Sequence, residues 1–495
     1  MFPKAVLSGL CSAILLFAGW QPAAAQGDQA ARAEAIKAYV DARVEVGLFE
    51  GVILVAQGEE ILFHQAYGLA DRRWSTQNST NTRFHIGSVG KQMTAAIILQ
   101  LVEEGKLDLD LKVFEVLPDY PKAQGSLVPV HTLLNHTSGI PTYTRMAPFL
   151  NRAASPISRA ELVSQFSEEP LDFEPGGGFS YNNSGYYLLS LIIEKLEGKP
   201  YSQVIQDRLF GPLGLTDTGY INDRAIIPQF ARAYQWSGSE YVEEVPTHES
   251  WILGNAMIYS DADDLLRWTL ALQKGAIFSD PTSRGRVFDL PAGAERNYAF
   301  GMGNVPIELN GKTFRGNGHS GALGGFRSTQ SLIPEMGWSV IVLSNIGIDQ
   351  NDMADNVLRI LAGEDVDLDL KPISFEIGQR LGTANSANSG AIRRWFEEEL
   401  SREIPRFSFD EGGMNNLGYA LLAQSRIEEA VLVLSLNTIV HPQSANTFDS
   451  LGEAYLLSGD TARALSNYSR SLELDPSNTN AERKIEELRA SGELE

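Results

Sequence analysis

Two pairs of β-rich segments lie near opposite ends of the first 365 residues, and they constrain the fold more than any other feature. The first pair is Gly51–Ala56 and Ile61–Tyr67, which Gln57–Glu60 separate. The second pair is Phe326–Ile333 and Trp338–Asn345. Short β-rich runs separated by turn-forming residues predict β-hairpins, here with a four-residue connection in the first. We therefore expect an antiparallel sheet that joins early and late strands of the chain.

Helical periodicity fills the stretch between the two hairpins. Residues 88–105 place a set of apolar side chains on one helical face: Met93, Ile97, Ile98, Leu101 and Val102. Further helices are predicted over Tyr186–Leu196 and Ser260–Leu272, the second opening with Ser260 and Asp263 in a near capping box. The pattern over residues 26–365 thus predicts an α/β domain with an antiparallel sheet flanked by helices.

Residues 1–25 read as a secretory signal peptide. Lys4 supplies a positive start, an apolar run follows to Trp20, and an A-x-A pattern ends at Ala25. Cleavage after about Ala25 would remove Cys11, the single cysteine, and leave a periplasmic or secreted protein without a membrane span. The alternatives are an uncleaved anchor and a lipoprotein attached through Cys11, for which Leu10 and Ser8 form a poor lipobox.

The charge balance excludes one broad class of function. The chain of 495 residues carries 62 acidic and 40 basic side chains, a formal net charge of −22. A nucleic-acid-binding protein needs a basic surface, so no nucleic-acid partner is expected. A single cysteine also excludes an internal disulfide and a cysteine-rich metal site.

An internal repeat occupies residues 411–490. Leu417–Ala420 recurs at Leu451–Ala454, and Ala430 and Pro442 recur at the same offset of 34 residues. This period resembles the tetratricopeptide repeat, in which each unit is a helical hairpin. Helices over residues 391–403 and 481–490 would pack at its ends. Residues 366–410 read as a linker with a helix, since residues 382–391 are rich in Gly, Ala, Asn and Ser. The repeats would either bind a protein partner or brace the first domain.

The first candidate catalytic motif is Ser88-x-x-Lys91, at a strand-to-helix junction. Residues i and i+3 share a helical face, so Lys91 can reach the Ser88 hydroxyl. A serine is a weak nucleophile that needs a neighbouring base, and lysine serves when burial lowers its pKa. The Ser88 N–H, at a helix start, could also hold an oxyanion. The motif alone is weak, but no other lysine here has serine three places before it.

A second motif, Tyr181-x-Asn183, follows a glycine-rich turn and precedes a helix. Tyr181 could exchange a proton with Ser88 and with the leaving group, while Asn183 orients Lys91 and a substrate amide. The same triplet occurs at Tyr220–Asn222, so the triplet alone is uninformative, and a core tyrosine is the structural alternative.

A third motif, His319-Ser320-Gly321-Ala322, lies among glycines that let the backbone approach a ligand closely. On an edge strand, the Ala322 N–H could complete an oxyanion hole with that of Ser88. His319 could polarise the site or meet a substrate carboxylate, although a lone histidine is more often structural.

Together the three motifs resemble the serine β-lactamase and penicillin-binding-protein superfamily, in particular its class C-like branch. That branch contains class C β-lactamases, DD-carboxypeptidases, D-aminopeptidases and family VIII-type esterases. The segments Leu133–Pro141 and Leu209–Leu215 also look like the family. The resemblance implies an α/β region that carries Ser88 and His319, and a mostly helical region that carries Tyr181.

The resemblance also implies the chemistry. Ser88 would form an acyl-enzyme without a metal or cofactor, and the acylation base would be Lys91 or Tyr181. The N–H groups of Ser88 and Ala322 would hold the oxyanion, and Asn183, His319, Ser320 and Gly321 would bind or orient the substrate.

One departure from the family pattern affects the expected activity. Class C β-lactamases carry lysine at the position of His319, which puts efficient β-lactam hydrolysis in doubt. We expect a serine hydrolase for an ester, an amide or a D-amino-acid peptide. The alternatives are a β-lactamase, or a catalytically weak penicillin-binding protein that recruits a partner through its repeats. An α/β-hydrolase is excluded because the sequence lacks the motif G-x-S-x-G. A metalloprotease of the H-E-x-x-H type is excluded because that motif is missing too.

Overall fold

The structure, a computed structural model, describes residues 23–222, 224–238, 240–290, 297–382 and 389–490. Residues 1–22 of the predicted signal peptide and most of the linker-like stretch at 382–391 lie outside the described residues. No helix in the described ranges is both long enough and apolar enough to cross a lipid bilayer.

The described residues form strands in chain order as follows: β1 Gly51–Gln57, β2 Glu60–Tyr67, β3 Leu69–Asp71, β4 Thr76–Gln77, β5 Phe84–His85, β6 Gly219–Tyr220, β7 Tyr234–Trp236, β8 Tyr241–Glu243, β9 Ile258–Ser260, β10 Gly303–Leu309, β11 Lys312–Leu323, β12 Phe326–Ile333, β13 Trp338–Ser344, β14 Lys371–Pro372 and β15 Phe407–Ser408. The main sheet has six antiparallel strands in the order β10-β11-β12-β13-β1-β2.

The α-helices of the described residues are α1 Ala23–Glu45, α2 Lys91–Glu103, α3 Val113–Val116, α4 Lys122–Gly125, α5 Val130–Leu134, α6 Ala147–Arg152, α7 Arg159–Ser167, α8 Asn183–Glu197, α9 Tyr201–Ile205, α10 Gly211–Leu213, α11 Ala262–Lys274, α12 Pro281–Phe288, α13 Asn351–Leu361, α14 Ile373–Leu381, α15 Ser389–Leu400, α16 Glu411–Ala423, α17 Ile427–Val440, α18 Ala445–Leu457, α19 Thr461–Leu474 and α20 Thr479–Ala490. The predicted combination of an antiparallel sheet with helices is confirmed.

Early and late strands meet at the centre of the sheet, as the sequence predicts. Strand β1 pairs with β13 from Gly51 opposite Ser344 to Gln57 opposite Trp338. The β1–β2 connection is tighter than the predicted four residues, because pairing continues to Gln57 and Glu60 and leaves a two-residue turn. Its first residue is glycine with φ of 59°, a conformation that glycine adopts without strain.

Both faces of β1 are buried, which explains its continuous apolar sequence. Val52, Leu54 and Ala56 face a core shared with α2 and α11, whereas Ile53 and Val55 face a second core shared with α1 and α13. Successive strand residues point to opposite faces, so a strand covered on both sides needs apolar residues throughout. The sheet is thus the middle layer of three.

The predicted helices are present, with one correction at a helix start. Helices α2, α8 and α11 lie within the predicted segments or extend them by a few residues. The predicted near capping box of Ser260 and Asp263 is wrong. Asp261 is the N-cap of α11, and its carboxylate accepts a hydrogen bond from the Asp264 N–H. Ser260 instead ends β9, where its hydroxyl contacts that of Thr218 at 2.7 Å.

The C-terminal region is helical, as the sequence predicts. Gly418 of α16 and Gly452 of α18, 34 residues apart, lie where a neighbouring helix approaches closely. A Cβ atom would stand 2.5 Å from Leu434 at the first position and 3.1 Å from Tyr468 at the second. Residues 366–410 contain α14 and α15 beside two short strands. The tetratricopeptide assignment and the domain boundaries remain predictions.

Candidate active site

The Ser88 turn lies directly on strand β11. Ser88 belongs to a 3-10 turn, Gly87–Gly90, between β5 and α2. Gly87 has φ of +50°, and a Cβ atom there would stand 2.9 Å from the Ala322 nitrogen. Gly321 is equally confined, since a Cβ atom on it would stand 2.1 Å from the Ile86 carbonyl oxygen. These glycines let the nucleophile turn and β11 meet backbone to backbone.

The amine of Lys91 sits at the centre of a polar contact set inside the protein. Lys91 is fully buried, at 0% exposure. Its Nζ lies 3.0 Å from the Ser88 hydroxyl, 2.8 Å from Asn183 Oδ1 and 3.0 Å from the Asn255 carbonyl oxygen. Burial lowers the pKa of Lys91 well below its usual value, because the charged form loses its hydration. The predicted proximity of Ser88, Lys91 and Asn183 is present.

Tyr181 closes the other side of this contact set. Its ring centroid lies 5.0 Å from Lys91 Nζ. Its hydroxyl is buried, has no hydrogen-bond partner of good geometry among the described residues, and faces the Ser88 side chain. Burial raises the pKa of Tyr181 well above its usual value, and the Ser88 hydroxyl offsets this only in part. Tyr181 is therefore a protonated phenol at neutral pH in the free protein.

Capping interactions at the start of α8 hold Tyr181 and Asn183 in place. Asn182 is the N-cap, and its side chain accepts a hydrogen bond from the Gly185 N–H at 2.8 Å. The Asn183 amide donates to the Thr144 hydroxyl at 3.1 Å, which turns its carbonyl oxygen towards Lys91. The Tyr-x-Asn segment thus lies at a helix start, and its two functional side chains flank Lys91.

Strand β11 has a free edge only where it meets the Ser88 turn. It pairs with β10 from Lys312 to Gly318 and is an inner strand there, whereas Ala322 lies beyond this pairing, at the edge position that the sequence predicts. Beyond Gly318 it continues to pair with β12 up to Leu323. The backbone of His319 to Ala322 therefore has one side available for contacts other than sheet pairing.

His319 is held by hydrogen bonds on both ring nitrogens. Nδ1 lies 2.6 Å from the Ser320 carbonyl oxygen, which can only accept, so Nδ1 carries the proton. Nε2 then accepts from the Tyr298 hydroxyl at 2.9 Å. Burial, and then the nearby Lys91, lower the pKa of His319 to about 3. The imidazole is therefore neutral at physiological pH, and the exposed Ser320 follows it on the strand.

Three contributors to the site were not among the predicted residues. Asn255 acts through its backbone carbonyl, which no sequence motif reveals. Tyr298 stands in no motif. His136 lies in the family-like segment noted above and packs its ring 4.3 Å from that of Tyr181 and 4.5 Å from that of Tyr298. The segment that contains His136 was recognisable in the sequence, but only the tertiary structure shows that His136 contacts Tyr181.

Fold and site together define the class of protein. A buried lysine beside a serine at the start of a helix, on an antiparallel sheet flanked by helices, is the arrangement of the serine β-lactamases and the transpeptidases. The family model described as Beta-lactamase matches residues 34–364. The chain therefore belongs to the beta-lactamase family.

Relatives in this family differ in their described activities. The chain is 30% identical to a putative penicillin-binding protein, PbpX of Bacillus subtilis, over 61% of this chain and 72% of that protein. It is also 30% identical to esterase EstB of Burkholderia gladioli, over 66% of this chain and 94% of that protein. The D-amino acid amidase of Ochrobactrum anthropi superposes with a TM-score of 0.57 at 25% identity, covering 67% and 99% of the two chains.

Proposed function

We propose that the protein is a serine hydrolase that works through an acyl-enzyme on Ser88. The observation that carries this proposal is the contact set of Lys91. Asn183 Oδ1 and the Asn255 carbonyl oxygen can only accept hydrogen bonds, so they take two protons of the amine. A neutral amine then has one lone pair left, and that lone pair faces the Ser88 hydroxyl at 3.0 Å. Lys91 is thus arranged to accept the serine proton.

The reaction proceeds in two halves. Ser88 Oγ forms a bond to the substrate carbonyl carbon as its proton moves to the base. Lys91 takes this proton directly, whereas Tyr181, the other candidate, could take it only in its phenolate form. The N–H groups of Ser88 and Ala322 stabilise the oxyanion. The bond to the leaving group then breaks, and the leaving atom receives its proton through Tyr181. In the second half, water attacks the acyl carbon and passes a proton to the base. The bond between the acyl carbon and Ser88 Oγ then breaks, and Oγ takes that proton back.

Esters, amides and D-amino-acid peptides are the proposed substrate classes, within a class C-like branch of the family. An esterase and a D-amino acid amidase among the similar proteins support this range. A β-lactamase is the alternative. The neutral His319 argues against it, because both of its ring nitrogens are already hydrogen-bonded and it offers a substrate carboxylate no positive charge.

The test is a panel of substrates measured with matched variants. Initial rates are taken on p-nitrophenyl butyrate, a D-Ala-D-Ala peptide and nitrocefin. Ser88→Ala removes the nucleophile, and Ser126→Ala removes an exposed serine as a control. We expect turnover of the ester or the peptide that Ser88→Ala abolishes and Ser126→Ala leaves unchanged. Turnover that survives in Ser88→Ala contradicts the proposal.

For the tail, meaning the region after residue 365 that includes the tetratricopeptide-like repeats, we propose a bracing role. Phe375 of α14 packs on Trp236 at 5.0 Å between ring centroids, and the Gln424 amide donates to the Ser237 carbonyl at 2.7 Å. Gly378 approaches so closely that a Cβ atom would stand 1.5 Å from the Gly238 carbonyl oxygen. These contacts hold the β7–β8 hairpin. A protein partner on the repeats is the alternative, and full activity of a chain ending near residue 365 would favour it.

We also propose export to the periplasm or beyond the cell, with cleavage after about Ala25. Sequencing the N-terminus of the protein recovered from the periplasm of a Gram-negative host tests this directly. An intact N-terminus in the cytoplasmic fraction contradicts it.

A further inference from the structure

A cleft of about 400 Å³ leads away from the catalytic residues. Tyr181, His319 and Ser320 are among its lining residues. Helix α13 lines the same cleft through Asn351, Asp355 and Leu358. These three residues stand at i, i+4 and i+7, so they share one face of that helix. The cleft is therefore a continuous space between the catalytic strand and α13.

Asp355 gives this cleft its charge. Among the described lining residues, it is the only Asp, Glu, Lys or Arg. Burial raises the pKa of Asp355, with Arg359 acting in the opposite direction and Asp352 in the same one. Arg359 is already paired with Glu364 at 3.2 Å, and Asp352 with Arg43 at 3.1 Å.

The Asp355 carboxylate itself makes no hydrogen bond or ion pair with any residue in the described ranges. The Asp355 residue is accessible to solvent, although neighbouring groups partly desolvate its carboxyl, so it keeps its capacity for a ligand. The neutral His319 adds no positive charge to the cleft. The cleft thus presents negative charge without a matching cation, which repels carboxylates and attracts ammonium groups.

Tyr181 decides which part of a substrate enters this cleft. In the proposed reaction, the leaving atom receives its proton through Tyr181, so it departs on the side where that hydroxyl lies. Because Tyr181 and α13 line the same cleft, a leaving group that departs past the Tyr181 hydroxyl enters the cleft that α13 also lines.

We propose that the cleft binds leaving groups that carry an ammonium group, through the carboxylate of Asp355. This inference rests on the proposed serine hydrolase function and names its preferred substrate class: esters or amides of a cationic alcohol or amine.

The experiment compares two esters of nearly equal shape. Butyrylcholine carries a trimethylammonium group in its leaving alcohol, and 3,3-dimethylbutyl butyrate carries the neutral tert-butyl group in the same place. The ratio of their kcat/KM values is measured for the wild type, for Asp355→Asn and for Glu335→Gln. The last variant removes one exposed carboxylate outside the cleft. Comparing ratios between variants cancels the different intrinsic reactivity of the two esters.

We expect Asp355→Asn to lower the ratio about fivefold to tenfold, and Glu335→Gln to leave it unchanged. Asp355→Glu should restore part of the preference, and 0.5 M salt should weaken it in the wild type. Equal ratios in the wild type and Asp355→Asn overturn the inference, even if Ser88-dependent turnover upholds the proposed function.

Direct binding separates the two proposals if neither ester turns over. Butyrylcholine is titrated into Ser88→Ala, which cannot be acylated, and into Ser88→Ala with Asp355→Asn, by calorimetry. Weaker binding to the double variant supports the cleft assignment even where the proposed activity fails. No binding to either protein, or equal binding to both, contradicts it.

Discussion

Gly87→Ala should reduce acylation by displacing the Ser88 turn from β11. The added Cβ would stand 2.9 Å from the Ala322 nitrogen, about 0.5 Å inside an ordinary contact of 3.4 Å. The nearest atoms belong to the backbone of Gly321 and Ala322, so the Ser88 turn or strand β11 has to move. A misplacement of 1 Å near reacting groups costs about 100-fold in rate. We therefore expect the rate constant for acylation by a fluorophosphonate to fall about 10- to 100-fold.

Gly105→Ala is the matched control for this prediction. Gly105 has φ of +69°, but a Cβ atom there meets nothing within 4 Å. Both variants carry the strain of a positive φ, about 1–2 kcal/mol, which urea unfolding measures. Only Gly87→Ala should also lose acylation rate. Two results would refute the idea that the backbone contact between the Ser88 turn and Ala322 forms the oxyanion hole. One is a folded Gly87→Ala protein that is acylated at the wild-type rate, and the other is an equal loss of acylation rate in Gly105→Ala.

Two further predictions concern the buried amine and the tail. The folded protein keeps Lys91 neutral, whereas the unfolded chain protonates it. The free energy of unfolding therefore rises with pH between the lowered pKa of Lys91 and its usual pKa, by up to about 1.4 kcal/mol per pH unit. In urea unfolding, Lys91→Met should be more stable than the wild type at low pH, and parallel stability profiles from pH 6 to 9 would contradict the neutral amine. Phe375→Ala should lower kcat/KM about fivefold, through about 1 kcal/mol of coupling between the tail and the hairpin. Phe409→Ala, which removes a tail ring packed on Phe396, should lower it less, and equal effects would exclude the brace.

Local sequence patterns predicted the central strands well, because a strand that is buried on both faces has a continuous run of apolar residues. Strand β12 has the predicted bounds, and β13 differs by one residue at its end. Strand β10 was not predicted. Val305, Ile307 and Leu309 alternate as in a half-buried strand, but Pro306 interrupts the run and counts against a strand. The cap at Asp261 was missed because neighbouring serine and aspartate compete for the same helix start.

The candidate site likewise contains residues that the sequence predicted and residues that it did not. Motif spacing placed Ser88, Lys91 and Asn183 together because short-range helical geometry and family-like order both constrain them. The Asn255 carbonyl and the Tyr298 hydroxyl lie far along the chain from the motifs they serve, and only tertiary packing brings them there. The charge of the cleft likewise depends on the face of α13 that carries Asp355, which the sequence pattern did not indicate.

The central claim is that Ser88 becomes acylated, and one measurement tests it most directly. The wild-type protein is treated with a fluorophosphonate, its intact mass is measured, and the modified residue is located in a protease digest. We predict one adduct per chain, on the peptide that contains Ser88, and none on Ser88→Ala. An adduct on any other residue, or equal labelling of Ser88→Ala, would contradict the account.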